Sequence, residues 1–244
     1  MNEAILRIND IPIYGFGLLT VFSFLWGSFV YYKKAIGVHF EDKDILDSVV
    51  LAGFWGFILG RAVFALLNLT VFAKHWSRLF LLTNYPGIDR WGMIAGISLG
   101  LFLCVRRIKA KFLDWFDLVC LGISAGTSVF YAGLAILTFH WQYLLLAGLY
   151  LLAFVYFWRA EETYRFLDWY RYKKTSVRSG YITGLSLSVW GLLFLIELIV
   201  GKNLSWRYGL WSGLLFVGGL ILVYIRSGRT VADDIKIIFK HGKK

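Results

Sequence analysis

The sequence predicts an all-α integral membrane protein with a bundle of seven transmembrane helices, and three features carry that expectation. Apolar stretches of about twenty residues recur between Tyr14 and Ile225, several of them opening or closing on Trp or Tyr. Hydrophobic residues fill 59% of the 244 positions and the mean hydropathy is +0.65, more apolar surface than a soluble domain of this length can hide. Lys and Arg accumulate in alternate gaps between the apolar runs, and aromatic residues reach 19%, which suits belts at the two membrane interfaces.

In chain order the spans fall at about 13 to 32, 48 to 71, 91 to 105, 115 to 139, 142 to 158, 180 to 200 and 208 to 225, each near the length that crosses about 30 Å of hydrocarbon. The third is the shortest. One side of this layout receives nineteen cations, in the gaps Lys33 to Lys43, Arg106 to Lys111, Arg159 to Arg178 and from Arg226 onward. The other side holds six, Arg7, Lys74, Arg78, Arg90, Lys202 and Arg207, and Arg61 is left inside a span. That bias places the N-terminus outside and the C-terminus in the cytoplasm, with an odd number of crossings. Met1 to Pro12 is polar with charges of both signs and no small-residue cleavage site follows the first apolar run, so the first span is expected to remain in the mature protein. No repeat or low-complexity linker divides the chain, which reads as one membrane domain over residues 1–244 ending in a basic cytoplasmic tail, residues 226–244. Glu161 to Tyr172, with Phe166, Trp169 and Tyr170 among charges, reads as an interfacial helix on anionic lipid.

Several function classes lose support at this level. The net charge of +11 sits in loops between spans rather than on one helical stripe, so orientation explains it better than nucleic acid does. Cys104 and Cys120 lie in or beside apolar runs, where cysteines act as small hydrophobes, and they indicate no disulfide framework. His39, His75, His140 and His241 lack ligand spacing, so neither a metal nor a cofactor is implied. A small-solute carrier would show paired broken helices and a chain of buried titratable groups, and neither is evident.

The polar groups within the spans are the candidates for function. Arg61 lies about ten residues from either end of its span, where an arginine needs an ion, a carbonyl or water. Glu197, near the end of the sixth span, is the available carboxylate, with a depth offset of roughly one turn. Two roles for Arg61 stand level: binding a lipid phosphate with its planar fork of donors, or a structural ion pair or carbonyl bond that fixes packing. Asn68 follows seven residues later on the same helical face, and Tyr14 stands at the outer end of the first span, so Tyr14, Arg61, Asn68 and Glu197 form the candidate lipid-binding set. Gly53, Gly56 and Gly60, Gly96 and Gly100, and Gly122 and Gly126 have spacings that let helix backbones approach closely, and packing is their favoured role.

The runs IPIYGFGLL, AGFWGFILGRAVFALLN, RWGMIAGISLG, VRRIKAKFLDWFD and GYITGLSLSVWGLLFLIE, in this order, resemble stretches of the prolipoprotein diacylglyceryl transferase family. The most specific matches are Tyr14 with Gly15, Gly60 with Arg61, and Arg106, Arg107 and Lys109 followed by Phe112 and Asp117. The resemblance implies that family's seven-span topology in a bacterial-type plasma (inner) membrane, and a reaction moving the diacylglyceryl group of phosphatidylglycerol onto a lipobox cysteine of a lipoprotein precursor. Such chemistry needs an activated thiol, a bound anionic headgroup and a stabilised leaving phosphate.

The chain departs from the family where that chemistry is carried. Members have a histidine before two glycines in the third span, and here the stretch is Ala95, Gly96, Ile97 and Ser98. Their fourth span carries an arginine motif with a glutamate soon after, whereas this chain has AGTSVFYAGLA. Their sixth span has an arginine about four residues before its glutamate, and here Gly191 to Phe194 precede Glu197. An extended outer head segment between the fourth and fifth spans is replaced by a turn near His140. Two readings follow: a catalytically degenerate relative that binds phospholipid or another membrane protein, which the motif losses favour, or an active transferase of diverged mechanism using Arg61 for the lipid phosphate with Tyr14 or Asp89 in proton transfer.

Overall fold

The computed structural model describes residues 4–8, 11–73, 79, 87–170, 179–200 and 206–227. An antiparallel ribbon comes first, β1 (Ala4–Ile8) pairing with β2 (Ile11–Tyr14), with Leu6 opposite Ile13 and Ile8 opposite Ile11. Pro12 has no N–H to give a helix and biases Ile11 toward extended backbone, while Ile8, Ile11 and Ile13 are β-branched. The ribbon amends the all-α expectation. It also moves Tyr14 out of the first span and into the last position of β2, opposite Ala4.

Helices then follow in the order α1 (Gly15–Gly37), α2 (Asp42–Leu67), the single turn α3 (Leu69–Phe72), α4 (Arg90–Arg107), α5 (Phe112–Thr138), α6 (Trp141–Tyr170), α7 (Tyr181–Val200) and α8 (Trp206–Arg226). Each apolar run therefore holds one long helix. Among the described residues five are long and apolar enough to cross a membrane: α2, α5, α6 through Thr163, α7 and α8. The 18 residues of α4 extend about 27 Å at 1.5 Å per residue, slightly under the hydrocarbon thickness.

The helices outrun the apolar runs at charged ends. α1 carries Lys33 and Lys34 in its closing turns, and α2 starts at Asp42, six residues before the predicted span, with Asp42 and Asp44 in its first turn. Cations near a C-terminus and carboxylates near an N-terminus complement the helix dipole, so these residues belong to the helices. The separate interfacial helix expected over Glu161 to Tyr172 is replaced, as far as the described residues go, by an unbroken α6 to Tyr170. No Gly or Pro interrupts that stretch, and Glu161 is buried. Residues 171 and 172, and all of the basic tail except Arg226 and Ser227, lie outside the described residues.

The chain divides into two compact units, Tyr32–Phe116 and the remainder, Met1–Tyr31 with Asp117–Lys244. Within the first, α2 packs on α4 almost backbone to backbone. A Cβ added at Gly92, Gly96 or Gly100 would overlap the carbonyl of Leu59, Trp55 or Leu51 in turn, so the small-residue spacing acts in packing as expected. The Phe40 and Trp115 rings stack at 4.4 Å, fixing the α1–α2 turn against the start of α5.

Within the second unit, Gly27 of α1 lies against Gly122 of α5, and Gly126 meets the Ser23 carbonyl. Gly184 and Gly191 of α7 receive Val223 and Phe216 of α8. The Trp190 indole donates to Ser124 Oγ at 3.0 Å, tying α7 to α5 with both groups buried. Tyr131 of α5 stacks on Tyr150 of α6 with centroids 5.5 Å apart.

Candidate functional site

Arg61 is 2% exposed in the last two turns of α2, and its burial is met by backbone oxygen. Nε donates to the Leu79 carbonyl at 2.9 Å and Nη1 to the Gly87 carbonyl at 2.8 Å. The guanidinium carbon also lies 5.6 Å from the Phe64 ring centroid and 5.3 Å from that of Phe72. Two charge-assisted bonds and two aromatic faces answer the desolvation that a guanidinium at this position would suffer.

The chain is folded locally to make this possible. Asn68 leaves the helical region at φ −119, ψ 44, and its amide donates back to the Phe64 carbonyl at 2.8 Å, closing the end of α2. The α3 turn that follows sets Phe72 edge-on to Phe64, with centroids 6.1 Å apart. On the returning strand of chain, Gly87 has φ +150 and the place of its missing Cβ is filled by the Phe64 ring, so only glycine fits. Asp89 N donates to the Gly60 carbonyl at 2.9 Å, and Asp89 Oδ1 accepts from Gly92 N at 2.8 Å as the N-cap of α4. The α2–α4 return is thus held by Arg61, Gly60 and Asp89 together.

Two of the four predicted lipid-binding residues, Arg61 and Asn68, share the C-terminal end of α2 and both are engaged with backbone there. Tyr14 and Glu197, the latter half-buried on α7, belong to the other unit. Asp89, named for proton transfer, is 5% exposed and serves the α4 cap. His140 is exposed, its Nδ1 2.6 Å from the Thr138 carbonyl, and His75 lies outside the described residues.

Asp117 is the polar centre that the residue-by-residue reading passed over. It is 1% exposed, and its carboxylate accepts from Gly180 N at 2.8 Å, Thr183 N at 2.7 Å and the Thr183 hydroxyl. A residue of α5 thereby caps the N-terminus of α7, where orphan N–H groups and the helix dipole favour an anion. The visible signal was an acidic residue between Phe116 and Leu118, inside an apolar run.

Hydroxyls in the middle of α5 and α4 bond backbone carbonyls. Ser124 and Thr127 donate to the Cys120 and Ile123 carbonyls, and Ser128 reaches across to Ala147 of α6. Ser98 of α4 donates to Ile94. Chemically these groups satisfy themselves within apolar helices.

Long apolar helices packed through glycine, with Arg61 and Asp117 buried and bonded to backbone, define a multi-pass membrane protein. The family model for prolipoprotein diacylglyceryl transferase matches residues 3–134, more than half of the chain, and the chain belongs to that family. A phosphatidylglycerol–prolipoprotein diacylglyceryl transferase of Clostridioides difficile (strain 630) is 24% identical over 132 residues. That match covers 53% of this chain and 52% of the relative, so the chain spans about half the length of the curated relative it matches.

Proposed function

We propose that this protein is a family member that keeps the helical scaffold without carrying out diacylglyceryl transfer, and that it acts by holding phospholipid or a neighbouring membrane protein. The observation that carries the reading is the commitment of Arg61 to the carbonyls of Leu79 and Gly87. A cation fastened to the fold offers less to a headgroup phosphate than one aimed into open space. The stretch that stands where relatives have a histidine is occupied by packing, because Gly96 presses on the Trp55 carbonyl and Ser98 bonds its own helix. The stretch that stands where relatives have an arginine motif is filled by Ser128 and Tyr131, turned to Ala147 and Tyr150 of α6. A transferase lacking these groups has no evident thiol base and few donors for a departing phosphate.

Seven spans, an outside N-terminus, one membrane domain and a bacterial inner membrane location belong to the same proposal, supported by the seven long helices among the described residues and by the distribution of cations. Phosphatidylglycerol is the phospholipid favoured, with a lipoprotein precursor or another membrane protein as the partner. In this reading a lipid phosphate near Arg61 and Asn68 competes with backbone carbonyls. Tyr14 and Glu197 enter on their sequence positions alone.

Expression in cells depleted of their own transferase tests the proposal, with growth and lipoprotein mass spectrometry as readouts. No rescue and unmodified lipoprotein are expected. Robust rescue with diacylglyceryl-modified lipoprotein establishes instead an active transferase with a diverged site.

A further inference from the structure

Two helices packed side by side, α2 and α4, present apolar surfaces of different height. α4 is the shortest of the long helices among the described residues, and its uncharged stretch, Trp91 to Val105, is closed by Arg90 at one end and by Arg106 and Arg107 at the other. That stretch rises about 22 Å, against about 30 Å for a hydrocarbon core. Met93, Leu99, Phe102 and Leu103 are exposed along it, which makes it a lipid-facing surface. On α2 the exposed apolar side chains run from Leu46 through Val50, Phe54 and Phe57 to Leu67, a rise of about 32 Å.

The packing fixes where the difference falls. Gly92, Gly96 and Gly100 lie against the carbonyls of Leu59, Trp55 and Leu51, an even antiparallel register. The ends near Arg107 coincide, since Arg107 pairs with Asp47 at 3.8 Å and the Cys104 thiol lies 3.7 Å from the Asp44 carbonyl. At the opposite end α4 begins level with Gly60 and Arg61, because Asp89 N donates to the Gly60 carbonyl at 2.9 Å. From there α2 continues to Leu67, about 9 Å higher, with Leu66 and Leu67 still 59% and 55% exposed. A flat bilayer matched to α2 puts Arg90 about 9 Å inside hydrocarbon, and one matched to α4 leaves Leu66 and Leu67 without acyl chains. Sliding cannot relieve the step, since the glycine contacts lock the two backbones together.

We infer that the leaflet at the Arg90 end is thinned beside α4 and slopes up to the end of α2, so that this face fits phospholipid with short or tilted acyl chains whatever its headgroup. The inference rests on α4 crossing the membrane, part of the proposed seven-span topology, and is independent of diacylglyceryl transfer. It follows from hydrophobic mismatch, to which a bilayer responds by changing thickness locally.

Spin labels on the full-length protein in dioleoyl phosphatidylcholine bilayers test this, with depth read from collisions with oxygen against a nickel chelate. Met93→Cys, Leu99→Cys and Leu103→Cys, in a cysteine-free background, sample the exposed face of α4. In a thinned leaflet the midplane falls near Ser98, midway between Arg90 and Arg106, so the Leu99 label is deepest and the Met93 and Leu103 labels are equally shallow. A flat bilayer matched to α2 is centred near Gly56, which lies against Met93 and Ile97, and moves the midplane of α4 by about 5 Å. The Met93 label then becomes deeper than the Leu99 label, which overturns the inference. From an equal mixture of dimyristoleoyl and dierucoyl phosphatidylcholine, native mass spectrometry should find the shorter lipid retained about twofold or more over the longer, and equal retention also counts against the inference. Impermeant maleimide labelling of Lys109→Cys and His75→Cys from opposite sides is expected. Labelling of both from one side refutes the crossing of α4, and the seven-span topology fails together with the inference; opposite sides with the Met93 label deepest refutes the inference alone.

Discussion

Asp117 offers the sharpest test of how α5 and α7 are joined. Replacing it by alanine removes three hydrogen bonds to a carboxylate, from Gly180 N, Thr183 N and the Thr183 hydroxyl, all in a buried setting. Bonds to charged groups contribute about 1.5–3 kcal/mol each and a lost helix cap about 1 kcal/mol, but these overlap at one helix end. Polar contacts between membrane helices also average below about 1 kcal/mol when neutral. Taking the lower values gives a loss of about 4 kcal/mol for Asp117→Ala. Asp117→Asn keeps an acceptor for Thr183 but turns an amide toward the Gly180 N–H and removes the charge, for a loss of about 2 kcal/mol. Thr183→Val should cost about 1–2 kcal/mol alone and almost nothing in the Asp117→Ala background. Unfolding of the purified protein by SDS titration in mixed micelles, followed by tryptophan fluorescence, measures all four. The reasoning is refuted if Asp117→Ala stays within about 0.5 kcal/mol of the parent, or if the two positions show no coupling.

Arg61→Leu should sharply reduce folded protein, because it strands the Leu79 and Gly87 carbonyls, whereas Arg61→Lys keeps the charge without the fork and should fall between; normal stability with weakened retention of copurifying anionic lipid would show a binding role instead. Gly96→Leu should separate α2 from α4 and cost at least about 3 kcal/mol, while Gly148→Ala, where a Cβ meets open space, should stay within about 0.5 kcal/mol on the same titration. In a cysteine-free background, Lys202→Cys or His75→Cys should label from outside intact cells with an impermeant maleimide, and labelling only from the cytoplasmic face would invert the proposed topology.

The existence, order and approximate limits of the long helices among the described residues were legible in the sequence, because a bilayer imposes length and hydropathy on each segment independently of its neighbours. Glycine spacing also showed which helix faces would touch, since close approach depends on a local pattern of missing side chains. Helix ends were less legible: Lys33, Lys34, Asp42 and Asp44 read as loop by hydropathy yet lie within helices, where end charges are stabilised. The ribbon was missed because two short strands leave only a weak periodic signal.

The partners of buried charge were decided by tertiary structure alone. Arg61 had a level choice between a lipid phosphate and a structural ion pair or carbonyl bond, and the fold brings the Leu79 and Gly87 carbonyls to it from a segment 18 to 26 residues further along the chain. Asp117 finds its donors 63 to 66 residues away, at the start of another helix. A sequence records that a charge sits in an apolar run and must be satisfied, but backbone groups are present at every position and carry no residue label. Only the path of the returning chain selects which of them are close enough to bond.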